Sequence, residues 1–153
     1  MDAKLINPFV NATTNVLETM AFVRPVAGKP FLKKNDVAQG DVTGVIGITG
    51  AKNGTVAVTF DQGAILKIVS NMFNEEMKEV NAEIADAVGE LTNMISGQAR
   101  RELEKIGKIF NAAIPSVITG KQHSIIHYTN GPKIAIPFSI NEGKFVIEVC
   151  MET

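Results

Sequence analysis

The chain has 153 residues, 45% hydrophobic and 20% charged, with a formal net charge of −1. That suits one compact domain with a real core, and it argues against nucleic acid or an anionic membrane as main partner, because phosphate binding needs a surplus of Lys and Arg. The single cysteine leaves no intramolecular disulfide and fits a reducing compartment. With no leader pattern and no run of the ~18 apolar residues that span a bilayer, the expected location is the cytoplasm.

In chain order, residues 2–20 read as a helix, with Ile6, Phe9, Thr13, Val16, Leu17 and Met20 near one face. Pro8 either starts this helix or bends it. A strand is expected near 22–27, and Gly28-Lys29-Pro30 and the polar run 33–35 mark a loop. Residues 42–49 and 55–60 alternate apolar positions around an Asn53-Gly54 turn, the pattern of a β-hairpin. Helical spacing returns over 63–73, and 74–79 is an acidic connector.

The second half opens on a long helix, expected over about 81–108. Strands are expected near 113–119, 123–128, 133–140 and 144–151, the last two flanking an Asn141-Glu142-Gly143 turn. Each half thus runs helix, strand, hairpin. The expectation is one domain over 1–153 with pseudo-repeats at about 1–73 and 74–153. Strands joined mostly by hairpins favour an α+β fold with helices over a mainly antiparallel or mixed sheet. An open edge on one of the long hairpin strands would invite pairing with a second copy.

The long helix carries the chemistry. With Val88 at zero and about 100° per residue, Ile84, Leu91, Ile95, Ala99 and Ile106 fall within roughly 60° of it. Asp86, Glu90, Asn93 and Gly97 fall on the opposite side. Gly89 and Gly97 each give up about 1 kcal/mol of helix propensity relative to Ala. They either keep the flank of the polar stripe low for a partner protein or let another helix of the same chain pack closely. Arg100, Arg101, Lys105 and Lys108 are interrupted by Glu102 and Glu104 and read as a solvated helix end.

Other chemistries lack their parts. His123 and His127 sit in a strand-like run, where residues four apart lie about 13 Å from each other, so they cannot share one metal ion and no metal site is expected. Cys150, between Val149 and Met151, reads as a buried small hydrophobe. There is no Gly-x-Gly-x-x-Gly and no Walker-type loop. Trp is absent and Tyr occurs once, so no stacking platform for single strands stands out. Asp86 and Glu90 lack the aromatic-walled cleft that a glycosidase pair would need.

The stretch Asp86-Ala-Val-Gly-Glu90-Leu-Thr-Asn93, with Pro115 beyond the helix, resembles the signature of the CheC/CheX/FliY family of chemotaxis phosphatases. The first helix has no Glu three residues before an Asn, so one signature is present, as in the CheX branch, rather than the two typical of the CheC branch. The resemblance implies a CheC-like fold and hydrolysis of aspartyl phosphate on a CheY-type response regulator. It implies that Asn93 orients the attacking water and that Glu90 pairs with a lysine of the receiver. Asp86 either supports from one turn earlier or decorates a solvated face, and Pro115 sets the start of the next strand. No cofactor of the chain's own is implied; Mg²⁺ is expected in the partner's site, and relatives of the CheX kind are homodimers. The alternative is a non-catalytic adaptor that binds a receiver or the flagellar switch.

Overall fold

The computed structural model describes residues 3–127 and 129–152. Helix α1 (Ala3–Ala21) leads through short strands β1 (Val26–Ala27) and β2 (Phe31–Leu32) to a hairpin, β3 (Val42–Gly50) and β4 (Gly54–Phe60). Helices α2 (Gln62–Phe73) and α3 (Ala82–Glu104) follow, then β5 (Phe110–Ala112), β6 (Ser116–Thr119) and a second hairpin, β7 (Lys133–Ile140) and β8 (Gly143–Met151). The fold is α+β, as expected, and the described strand pairings are all antiparallel.

The sheet runs β1-β7-β8-β4-β3-β5, with β2 also on β7 and β6 also on β3. This order reads the same from both ends when the halves are exchanged. Ala27 lies opposite Phe138 and Phe31 opposite Ala135, so three residues face two. Ala112 lies opposite Ile48 and Ser116 opposite Val45, again three against two. Each is a one-residue bulge, and each ends on a proline, Pro30 or Pro115, that has no N–H for the ladder. The two bulges are related by the same exchange of halves as the strand order. Asn93 stands 22 residues before Pro115, and the residue 22 before Pro30 is Pro8. Pro8 lies inside α1 and is buried, so the first half offers no matching amide.

The main core lies between the helices and one sheet face. Phe9, Val16 and Leu17 of α1, Ile65 and Ile68 of α2, and Ile84, Leu91 and Ile95 of α3 meet Ile46, Val58, Phe145 and Ile147. Burying each large apolar side chain contributes about 1.5–3 kcal/mol. The Phe145 ring stacks on Phe138, with centroids 5.0 Å apart. On the opposite face a small cluster of Ala38, Val45, Ala57 and Ile125 sits beneath the connecting segments. Among the described residues no helix is long and apolar enough to cross a membrane.

Six expectations change. The strand over 22–27 shrinks to β1, because Phe22 ends α1 in the left-handed region (φ 56°). Strand β2 occupies part of a stretch read as loop. The strand over 113–119 breaks at the Pro115 bulge, where Ile114 is 89% exposed. Residues 123–127 form no strand, only the bridge Val37↔Ser124, and Tyr128 lies outside the described residues. The long helix stops at Glu104, and the chain turns at Gly107 (φ 84°), which exposes Ile106 and leaves Leu103 as its last buried position. The hairpin strands do not offer an open edge either, because β1 and β2 cover β7 while β5 and β6 cover β3.

Candidate functional site

Helix α3 begins where Asn81, in extended conformation, accepts a hydrogen bond from Ile84 N through its side chain (3.1 Å). It buries Ile84, Val88, Leu91, Ile95, Ala99 and Leu103. Two polar residues are also buried. Thr92 is completely enclosed, and its hydroxyl donates to Val88 O at 2.7 Å, which satisfies it inside the helix. Ser96 lies one turn on, accepting from Arg100 Nε (3.4 Å). Enclosure of Leu91 and Thr92 turns the next residue, Asn93, outward.

Asp86, Glu90 and Asn93 are all exposed on that outward side. Among the described residues none of their side chains has a hydrogen bond or an ion pair. Glu90 and Asn93, three apart, are neighbours on the helix surface. A carboxylate and a carboxamide therefore project together, uncommitted to the chain's own structure. The carboxamide both donates and accepts hydrogen bonds and is neutral. The carboxylate accepts only, and suits a cation.

The two glycines separate. Gly97 is half-exposed beside Asn93. Gly89 is buried, and a β-carbon there would meet Val117 Cγ2 of β6 at 3.4 Å. Its low profile faces the chain's own sheet, a contact with a strand rather than with another helix, and it does not belong to the exposed ridge. Pro115 stands immediately before β6.

Helix α1 runs antiparallel beside α3, tied by Asn15 Nδ2 donating to Gln98 Oε1 (2.9 Å) and Asn11 Nδ2 to Glu102 Oε1 (3.3 Å). Between them lies a groove of about 270 Å³, with Val16 in its lining and Asn93, Gly97, Gln98, Arg100 and Arg101 along it. Arg100 and Arg101 do lie at a solvated helix end, Arg101 being exposed. Helical side chains lean toward the N-terminus, which carries both back toward Gly97.

A second polar cluster lies on the far face of the sheet. Lys33 Nζ meets Glu148 Oε2 at 2.7 Å, and His127 Nε2 meets Glu148 Oε1 at 3.1 Å, all three side chains being buried. Burial alone pushes the Glu148 carboxyl up, but hydrogen bonds from His127 and Lys33, with their charges, hold it below the ordinary value. The alternation along β8 is that of a plain hairpin strand, and no sequence signal marks this carboxylate. His123 lies apart from this cluster, against Thr43. Cys150 is buried, its thiol toward Gly131 O (3.4 Å). Among the described residues no three His, Cys, Asp or Glu side chains gather closely enough to hold a metal ion.

A family model described as chemotaxis phosphatase CheX matches residues 42–139, the stretch that holds Glu90, Asn93 and Pro115. The chain is 28% identical over 141 residues to the CheY-P phosphatase CheX of Thermotoga maritima, covering 92% of this chain and 90% of that protein. Its fold matches the crystal structure of CheX from Desulfovibrio desulfuricans with a TM-score of 0.90 at 51% identity, over 97% of this chain and 99% of that one. It also matches a chain of the CheX-CheY-BeF3-Mg²⁺ complex from Borrelia burgdorferi, with a TM-score of 0.82 at 25% identity over 97% of each chain.

Proposed function

The chain belongs to the CheX family of chemotaxis phosphatases, and from that premise we propose that it hydrolyses aspartyl phosphate on a CheY-type response regulator. The observation that carries this reading is the pair Glu90 and Asn93, exposed together on α3 with no partner among the described residues. Phosphoryl transfer depends on positioning and electrostatics more than on covalent help from protein groups. Asn93 enters the receiver's site and holds the in-line water, accepting one of its protons in a hydrogen bond. Being neutral, the amide is not repelled by the phosphoryl oxygens, as a carboxylate would be. Glu90 pairs with a receiver lysine and fixes the register of α3 on its partner, with Asp86 supporting from one turn earlier and Gly97 leaving room for the approach.

Mg²⁺ belongs to the receiver in this scheme and supplies charge neutralisation at the phosphoryl group. The Borrelia burgdorferi relative was solved with CheY, BeF3 and Mg²⁺, which supports that division of labour. A cytoplasmic homodimer belongs to the same proposal. Its strand-addition route moves to a short edge, since Val26, Phe31 and Leu32 of β1 and β2 are exposed, and the mass of the purified protein in solution reads it. The catalytic reading is tested by mixing the protein with phosphorylated receivers from the same cell in the presence of Mg²⁺. Faster loss of phosphate from a cognate receiver supports it. Tight binding with no faster loss supports the adaptor reading instead.

A further inference from the structure

The outward stripe of α3 changes sign along its length. Asp86 and Glu90 come first, then neutral Asn93, then a gap at Gly97, then Arg100 and Arg101. Both guanidinium groups fold back over the gap: a β-carbon on Gly97 would lie 3.7 Å from Arg100 Nη2 and 3.7 Å from Arg101 Nη1. Neither arginine has an ion-pair partner among the described residues, although Glu102 and Glu104 are close in sequence. Glu102 instead accepts from Asn11 of α1. Arg100 spends only its Nε, on Ser96.

Two guanidinium groups flanking one backbone position carry like charge, and an anion held between them would offset their repulsion. A guanidinium fork matches a carboxylate in a planar, two-bond geometry. The fork lies over Gly97, about 6 Å along the helix axis from Asn93, and it shares the α1/α3 groove with that amide.

We infer that Arg100 and Arg101 form an anion-recognition fork that takes carboxylates on the receiver's surface beside its phosphorylation site. The inference rests on the proposed receiver-binding role of α3 and adds the feature that orients the partner. Glu90 takes a cation of the receiver and the fork takes an anion, so only one direction along α3 satisfies both. Gly97 lies between the two tips, and a β-carbon there would reach both at ordinary contact distance. The arginines are specificity-determining and touch no reacting atom.

The test compares the wild type with R100Q/R101Q, in which glutamine keeps good helix propensity and loses the charge. Two readouts are taken: hydrolysis of the phosphorylated cognate receiver, and binding of the same receiver loaded with Mg²⁺ and beryllofluoride. The expected result is a KM and a Kd raised about ten-fold at low salt, with a flatter salt dependence and an almost unchanged kcat. R100K/R101K, keeping charge without the fork, falls between. Unchanged KM, Kd and salt dependence overturn the inference. A lowered kcat at constant KM also overturns it, since the arginines would then act on the phosphoryl group itself. If the wild type binds the loaded receiver in an arginine-dependent way but hydrolyses nothing, the fork stands and the phosphatase reading falls.

Discussion

Gly44 of β3 and Thr92 of α3 are packed so closely that a β-carbon on Gly44 would overlap Thr92 Oγ1 and press on Val88 Cγ1 at 3.2 Å. Thr92 cannot swing aside, because it is fully buried and its hydroxyl is committed to Val88 O. This contact seats α3 on the sheet one residue before Asn93. Gly44→Ala should therefore destabilise the fold by about 1–3 kcal/mol, the usual cost of overpacking a filled core. A urea unfolding midpoint unchanged from wild type would show that the contact does not seat the helix.

Gly97→Ala should act in the opposite direction on stability. The site holds only the flexible tips of two arginines at 3.7 Å, so the substitution gains helix propensity, about 0.5–1 kcal/mol. It also raises the ridge beside Asn93 and fills space between the two arginine tips that a partner group would enter. A higher melting temperature with a several-fold higher KM is expected. A rise in stability with an unaltered KM would mean that the partner does not approach Gly97.

Acid stability should depend on Glu148. Its carboxyl lies below the ordinary value of 4.5 in the folded protein, because His127 and Lys33 outweigh the effect of burial. A depressed folded value contributes stability that is present above the unfolded pKa and is lost as pH falls through the folded one. Exposed Asp36, lowered by its contact with Lys133, has the same sign. Stability should thus fall on acidification below about pH 4.5. Glu148→Gln should cost about 3–5 kcal/mol near neutral pH by leaving buried Lys33 without its counter-charge, and should shrink the acid dependence. Parallel stability-against-pH curves for the two proteins would contradict this.

The parts of the fold set by local periodicity were legible in the chain. Helix α3 shows its apolar stripe from Ile84 to Ala99, and the hairpins show their alternation and turns. What escaped depends on contacts distant in sequence. Residues 123–127 alternate like a strand, yet β5 and β6 already cover β3, so the segment packs over the outer sheet face, with Ile125 buried and His127 on Glu148. Glu148 looks like an outward strand residue and is enclosed by that segment and by Lys33. Gly89 and Gly97 look alike in sequence and differ only because Val117 of β6 lies against one of them. Exposure of Glu90 and Asn93 followed from the helical period alone, whereas the arginine fork needed side-chain direction as well.

Glu90→Ala should weaken the complex more than the chemistry. A charge-assisted hydrogen bond to a receiver lysine is worth about 1.5–3 kcal/mol, so Kd for the beryllofluoride-loaded receiver should rise by about 10- to 150-fold. An unaltered affinity in titration calorimetry would remove the lysine contact from the scheme.

The most direct test of the central claim is the rate of phosphate loss from the saturated cognate receiver with Asn93→Ala in place of the wild-type protein. Removal of the water-holding amide should lower that rate by about 10²-fold, equivalent to near 2.7 kcal/mol of barrier, with affinity for the receiver retained. A variant that dephosphorylates the receiver as fast as the wild type would contradict the assignment of Asn93.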